Sequence, residues 1–273
     1  MIRCVMMDLD GTLLRIKDQK TAGISDENEQ ALIRFEKAGG LTGIATSRSP
    51  SYIRHFSRRT WSAIVGWNGA AIQTADTLQL HPLPKQDIKQ LWKTLAGDQP
   101  QNRVVMVTTD NDFLVYDLTF PLVRGYCENP LGLIQDHRRV VEWDSRSKHD
   151  SIAVIFAVYP DAPTAQAIRE RLASTGLHGI WTSPRTLMIT DKQVDKARGI
   201  LEATVQLGLR KEEVAVIGDD FNDLTCFETF PASFCMASAE PEIQRQARWT
   251  VASVAEALAL IQREDAAAKA LNG

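Results

Sequence analysis

At 273 residues the chain is long for one compact domain and comfortable for one domain that carries an insertion. Its hydrophobic fraction of 44% can fill a sizeable core, and a net charge of -3 gives no basic field for nucleic acid. No window reaches the roughly eighteen apolar residues of a membrane span, so neither nucleic acid nor a membrane is an expected partner, and oligomeric state leaves no mark on the sequence.

Residues 2–7 form a near-continuous apolar run, too short for an ordinary helix, which reads as a buried strand of a parallel sheet. Asp8 interrupts the run before it could serve as a signal peptide. Cys4, Cys127, Cys226 and Cys235 have no metal-ligand spacing, and reduced thiols in a cytoplasmic protein are expected. Asp8 and Asp10 stand at the end of the first strand. If the chain stays extended to Asp10 their side chains share a face, and Gly11 then lets the backbone turn. The carboxyl ends of strands in an open α/β sheet border the ligand crevice, so this pair of acids is placed to meet a ligand.

After a loop over 15–23, Ser25 caps a helix whose core face carries Ala31, Leu32, Phe35 and Ala38, stopped by Gly39 and Gly40. A second buried strand covers 41–46 and ends in Thr46-Ser47-Arg48, with Ser49 and Pro50 opening another helix. Hydroxyls and unpaired N–H groups at such a junction make an anion site. A third strand over 62–66 leads into Trp67-Asn68-Gly69-Ala70, a hairpin turn signal.

Beyond Pro82 and Pro84 the texture changes to a helix around Ile88, Leu91, Trp92 and Leu95, strands over 103–109 and 113–116, a strand over 151–159, a helix over 163–174 and short strands over 178–181 and 186–190. This reads as a self-contained α+β unit over 82–186 inserted between 1–81 and 187–273. Asp195-Lys196 then opens a helix, although a lysine in the first turn opposes the macrodipole and needs another reason to be there. The apolar strand over 214–218 ends in Gly218-Asp219-Asp220-Phe221-Asn222-Asp223. Strands over 234–236 and 248–251 and an alanine-rich helix from Ser253, frayed at its end, complete an α/β fold with a doubly wound parallel sheet.

Asp8-Leu9-Asp10-Gly11-Thr12 resembles the first motif of the haloacid dehalogenase superfamily of phosphatases, mutases and dehalogenases. Thr46 and Arg48 fit the second motif, commonly T-G-R, with Ser47 in place of the glycine; Lys196 fits the third, a lysine on a helix after the cap; and G-D-x-x-N-D over 218–223 matches the fourth. The N-G-A at 68–70 and the position of the insertion resemble the Cof-like branch with its C2-type cap, whereas Ala237-Ser238 stand where that family usually carries Gly-Asn.

The resemblance implies a Rossmann-like core and a covalent mechanism on a small phosphorylated metabolite, with sugar phosphates the usual class of the branch. Asp8 would attack phosphorus to form an aspartyl phosphate, and Asp10 would protonate the leaving oxygen and later deprotonate water. Mg²⁺ would be held by the Asp8 carboxylate, the Asp10 carbonyl and the Asp219 carboxylate. Lys196, Thr46 and backbone N–H groups near Leu9 and Ser47 would hold the phosphoryl oxygens, with Asn222 nearby and Asp223 orienting Lys196. Four acids in one crevice raise one another's pKa, which a divalent cation resolves. A lid of this size selects the leaving group, and Arg124, Tyr126, His137, Arg138 and Arg139 are its candidate selectors. A phosphomutase is the nearest alternative reading. A phospho-aspartate signalling module is another, against which Asp10 speaks; Lys196 with the acidic set speaks against a dehalogenase.

Overall fold

The computed structural model describes residues 1–16, 22–50, 52–53, 59–75, 77–84, 91, 93–95, 103–108, 113–115, 140–142 and 151–272. The chain opens with β1 (Cys4–Met7), β2 (Leu14–Ile16), β3 (Ala22–Ile24), α1 (Asp26–Lys37) and β4 (Leu41–Ala45). Next come β5 (Ala63–Gly66), the single turn Trp67–Gly69, β6 (Ala71–Thr74) and β7 (Leu78–Leu80). The inserted part carries β8 (Arg103–Thr108), β9 (Phe113–Val115), β10 (Val140–Glu142), β11 (Ile152–Val158), α2 (Ala162–Leu172), β12 (Leu177–Ser183) and β13 (Thr186–Asp191). The chain then returns with α3 (Lys196–Gln206), β14 (Val214–Gly218), α4 (Leu224–Thr229), β15 (Ala232–Met236), α5 (Pro241–Gln244), β16 (Trp249–Val251) and α6 (Val254–Asn272).

Two compact units result. One comprises Met1–Thr46, Arg59–Leu78 and Asp195–Gly273, the other Ser47–Arg58 and Gln79–Val194. In the first, strands run in the order β16-β15-β14-β1-β4-β5-β6-β7, parallel from β16 to β5, with β6 antiparallel to β5. β1 is central and buried along its whole length, which is why its sequence is apolar without alternation. The strand order reverses at β1, so β1 and β14 border the switch point where such sheets bind ligands. In their parallel register Met7 lies opposite Ile217, which carries Asp8 and Asp219 to the same end of the sheet.

The second unit has a sheet of order β10-β9-β8-β11-β13-β12, antiparallel except between β9 and β10. Its core packs Leu91, Leu95, Ile155, Ala157, Tyr159, Ile168, Leu172, Leu187 and Ile189. Asp161 caps α2 by accepting from the Thr164 N–H at 2.7 Å.

Local chemistry in the first unit explains α1. Ser25 Oγ accepts from the Asn28 N–H, and Ala31, Leu32 and Phe35 face the core. Ala38, expected on that face, is instead the exposed C-cap, because the helix closes at Lys37 and Gly39 turns with φ +89. The last helix, α6, runs to Asn272. The segment after β1, expected as a loop, contains the antiparallel β2–β3 hairpin, with Leu14 opposite Ile24.

Asn28 is buried, and its carboxamide oxygen accepts from the Ala255 N–H at 3.0 Å, satisfying a donor in the first turn of α6. Asn28→Ala should therefore cost about 1–3 kcal/mol by orphaning that N–H. Urea unfolding at equilibrium measures this, and an unchanged midpoint would contradict it.

Candidate active site

The Asp8 N–H donates to the Ile217 carbonyl at 2.8 Å, so the parallel ladder runs to the residue that matters. Beyond it the chain does not stay extended to Asp10. It curls, with the Leu13 N–H donating to the Asp8 carbonyl at 3.3 Å and the Leu14 N–H to the Leu9 carbonyl at 2.8 Å. Gly11 turns this curl at φ +86, and a Cβ there would lie 2.1 Å from Asp219 Oδ2, so both conformation and space demand glycine. The buried Thr12 hydroxyl donates to Asp219 Oδ1 at 2.6 Å. Sequence reasoning anticipated the turn at Gly11 but missed its close approach to Asp219 and the bond from Thr12, although both residues lie inside the D-x-D-G-T motif.

At the end of β14 the chain turns over Phe221–Asp223, and Asp223 folds back. Its Oδ2 accepts from the N–H groups of Asp219 at 3.0 Å and Asp220 at 3.1 Å, while its Oδ1 accepts from Lys196 Nζ at 2.8 Å. Lys196 is completely buried and also donates to Asp8 Oδ1 at 2.6 Å. Two carboxylates thus supply the reason for a lysine in the first turn of α3, against the helix dipole. Asp195 caps that helix by accepting from the Arg198 N–H at 2.9 Å.

Asp8, Asp219 and Asp223 can each offer an oxygen such that all three lie within 4.8 Å of one another. Burial pushes the Asp8 carboxyl up to about 8; the Lys196 ammonium opposes this, while the charges of Asp223 and Asp219 add to it. Asp219 is likewise raised by burial to about 6, against the pull of the Thr12 hydroxyl. Burial alone would lower the Lys196 pKa, but Asp223 and Asp8 outweigh it and hold the amine charged. Among the described residues, three acids facing one ammonium leave a deficit of positive charge in an all-oxygen site, which suits a hard divalent cation. Among the described residues Asp223 accepts on both oxygens, whereas Asp8 and Asp219 each accept through one, leaving them the better ligands.

Because ligands must be ionised to bind, divalent-cation affinity should fall as pH is lowered from about 8 to below about 6, and cation uptake near neutrality should release protons. Calorimetric titration in buffers of different ionisation enthalpy reads both effects. A pH-independent affinity would contradict them.

Asp8, Lys196, Asp219 and Asp223 therefore lie together. Leu9 is buried and Asp10 half-buried on the curl, and Asn222 is half-buried in the turn at 221–223. Thr46 is buried just past β4; its N–H donates to the Val65 carbonyl at 2.8 Å and its carbonyl accepts from the Asn68 N–H at 2.9 Å. Ser47 is half-buried, and the Arg48 guanidinium lies over the Tyr52 ring at 4.3 Å. Arg124, Tyr126, His137, Arg138 and Arg139 lie outside the described residues, as does Cys127. Cys4, Cys226 and Cys235 are buried, and burial raises each thiol, Cys4 to about 12 and Cys235 to about 11, which makes them unreactive. Among the described residues no helix is long and apolar enough to cross a membrane.

A family model described as haloacid dehalogenase-like hydrolase matches residues 5–260. The chain is 27% identical over 263 residues to the 5-amino-6-(5-phospho-D-ribitylamino)uracil phosphatase YitU of Bacillus subtilis, covering 91% of this chain and 92% of that protein. Among solved structures it is similar to BT1666 of Bacteroides thetaiotaomicron, described among phosphatases of the same superfamily, with TM-score 0.76 and 20% identity over 96% of this chain and 95% of that one. It is also similar to the subclass IIB sugar phosphatase BT4131, with TM-score 0.74 and 18% identity over 93% and 95% of the two chains.

Proposed function

The chain belongs to the haloacid dehalogenase-like hydrolases, and from that premise we propose that it is a Mg²⁺-dependent phosphatase acting on a small phosphorylated metabolite, a sugar phosphate or a related polyol phosphate. The observation that carries this reading is the completely buried Lys196 ammonium, held between Asp8, just past the end of β1, at 2.6 Å and Asp223, in the turn that follows β14, at 2.8 Å. A phosphoryl group needs a nucleophile, a fixed cation and little else from the protein.

In this reading an Asp8 carboxylate oxygen attacks phosphorus as the bond from phosphorus to the ester oxygen breaks, and Asp10 gives that oxygen its proton. Water then attacks the aspartyl phosphate, Asp10 takes the water's proton, and inorganic phosphate leaves with Asp8 restored. Lys196, the Thr46 hydroxyl, backbone N–H groups near Leu9 and Ser47, and Asn222 hold the phosphoryl oxygens. Asp223, with both oxygens engaged, fixes Lys196. Mg²⁺ bound by the Asp8 and Asp219 carboxylates and the Asp10 carbonyl would supply the charge neutralisation that the raised carboxyls lack.

The α+β insertion over 82–186 is proposed as the cap that selects the leaving group, with Arg124, Tyr126, His137, Arg138 and Arg139 as selectors. The sugar phosphate class rests on the branch's usual substrates, and the polyol phosphate on the name of the relative at 27% identity. The buried reduced thiols fit a cytoplasmic site of action.

Phosphate release from a broad panel of phosphorylated metabolites, with Mg²⁺ and with EDTA, tests the proposal. Expected is Mg²⁺-dependent release, strongest from sugar or polyol phosphates and abolished by EDTA. Isomerisation without release, or release that EDTA does not affect, would overturn it.

A further inference from the structure

We propose that the turn Trp67–Gly69 is a positioning element that sets Lys196 against Thr46, and that it acts through Gly69. The inference rests on the phosphatase reading for what the spacing serves, and on geometry alone for the spacing itself.

Trp67, Asn68 and Gly69 take left-handed φ values of 48°, 54° and 104° in succession. Asparagine and glycine visit that region readily, whereas a bulky tryptophan does so only when its surroundings impose it. Trp67 and Asn68 are both buried, so packing is available to impose it.

The turn is pinned on two sides. On one, the Asn68 N–H donates to the Thr46 carbonyl at 2.9 Å, and the Thr46 N–H donates to the Val65 carbonyl at 2.8 Å. Thr46 is thereby bracketed by β5 and the turn that follows it. On the other side, Gly69 rests against the backbone of Asp195, the N-cap of the helix that begins at Lys196. A Cβ at residue 69 would lie 2.1 Å from the Asp195 carbonyl oxygen and 2.8 Å from its carbon.

That same oxygen accepts the Gly199 N–H at 3.1 Å, the bond that opens the helix. One turn along, a Cβ at Gly199 would lie 2.9 Å from the Gly69 Cα and 2.5 Å from Val65 Cγ1. Two glycines thus bring α3 and the turn together backbone to backbone. The turn is a spacer between the strand end that presents Thr46 and the helix end that presents Lys196. Any side chain at residue 69 presses on a peptide unit directly joined to Lys196.

The test compares Gly69→Ala with Gly208→Ala in the Mg²⁺-loaded full chain. Gly208 ends the same helix at φ +67 with nothing among the described residues within 4 Å of an added Cβ, so its variant carries left-handed strain without the collision. Both variants lose melting temperature. Only Gly69→Ala is expected to lose kcat at saturating substrate, by about 10²-fold per folded molecule, and to bind inorganic phosphate more weakly. In a Lys196→Met background Gly69→Ala should weaken phosphate binding no further, because the affected cation is already gone.

Crystal structures of the two variants read the placement without turnover, and Lys196 Nζ is expected to move off Asp8 in Gly69→Ala alone. A kcat for Gly69→Ala within about twofold of Gly208→Ala, or an unmoved Lys196, would overturn the inference. Should Gly69→Ala fail to fold, Gly199→Ala pushes the same two backbones apart and is read against the same outcomes. A wild-type protein that releases phosphate from no substrate would instead overturn the phosphatase reading, while the crystallographic comparison still decides what the turn positions.

Discussion

Asp8→Asn should abolish turnover, by roughly 10⁴-fold or more, while the protein still folds. The amide is isosteric with the acid but cannot attack phosphorus, and losses of this size are typical when a covalent nucleophile is removed. The burial of the same carboxyl has a separate signature in stability. In cation-free protein the Asp8 carboxyl, raised by burial to about 8, stabilises the native state relative to the unfolded one while it is protonated. That contribution is fully present below the ordinary carboxylate pKa and is lost as pH rises through about 8. The amide has no such dependence. In EDTA the stability difference should therefore move in favour of Asp8→Asn as pH rises between roughly 4 and 8, and urea unfolding across that range measures it. Retained turnover, or a stability difference flat with pH, would rule out a buried, titrating nucleophile at Asp8.

Lys196→Met should damage both fold and activity. The ammonium is the cation that Asp8 and Asp223 share, and Asp223 also holds the N–H groups of Asp219 and Asp220. Removing one partner of a buried ion pair leaves uncompensated charge, at a cost of about 3–5 kcal/mol. The loss should be largest above pH 8 without divalent cations, and smaller at pH 5, where Asp8 carries its own proton. Added Mg²⁺ should restore more stability to the variant than to the wild type, because it meets a larger charge deficit. Thermal melts at the two pH values, with and without Mg²⁺, check this. A variant as stable as the wild type at high pH would contradict the burial of Lys196 between its two acids.

The parts of this fold that were legible in the sequence are those whose cause is local. β1 and β14 lie inside a parallel sheet, so burial on both faces writes itself as an apolar run without alternation. Ser25 and Asp195 announce their helices because capping acts over three residues. The β2–β3 hairpin was missed because its strands are three residues long and one contains Gly23, which leaves no period to read. The convergence of Asp8, Lys196, Asp219 and Asp223 was legible only because the motifs are distinctive. Their order along the chain says nothing of distance, and Lys196 and Asp8 are 188 positions apart. Thr12 went unassigned since its partner, Asp219, is 207 positions away. Gly69 reads as an ordinary turn residue until the Asp195 carbonyl is seen against it.

The central place of β1 has a consequence for how the protein is made. One flank of this strand pairs with β4, which is translated soon afterwards, but the other pairs with β14, from Cys4 opposite Val214 to Met7 opposite Ile217. Until the ribosome has delivered residues 214–218, the nascent chain carries an apolar ribbon with one row of amides and carbonyls unmatched, the kind of edge that recruits foreign strands. Chaperone shielding of this segment during synthesis, and slow closure of its last ladder on refolding from urea, follow from where the first strand is stationed.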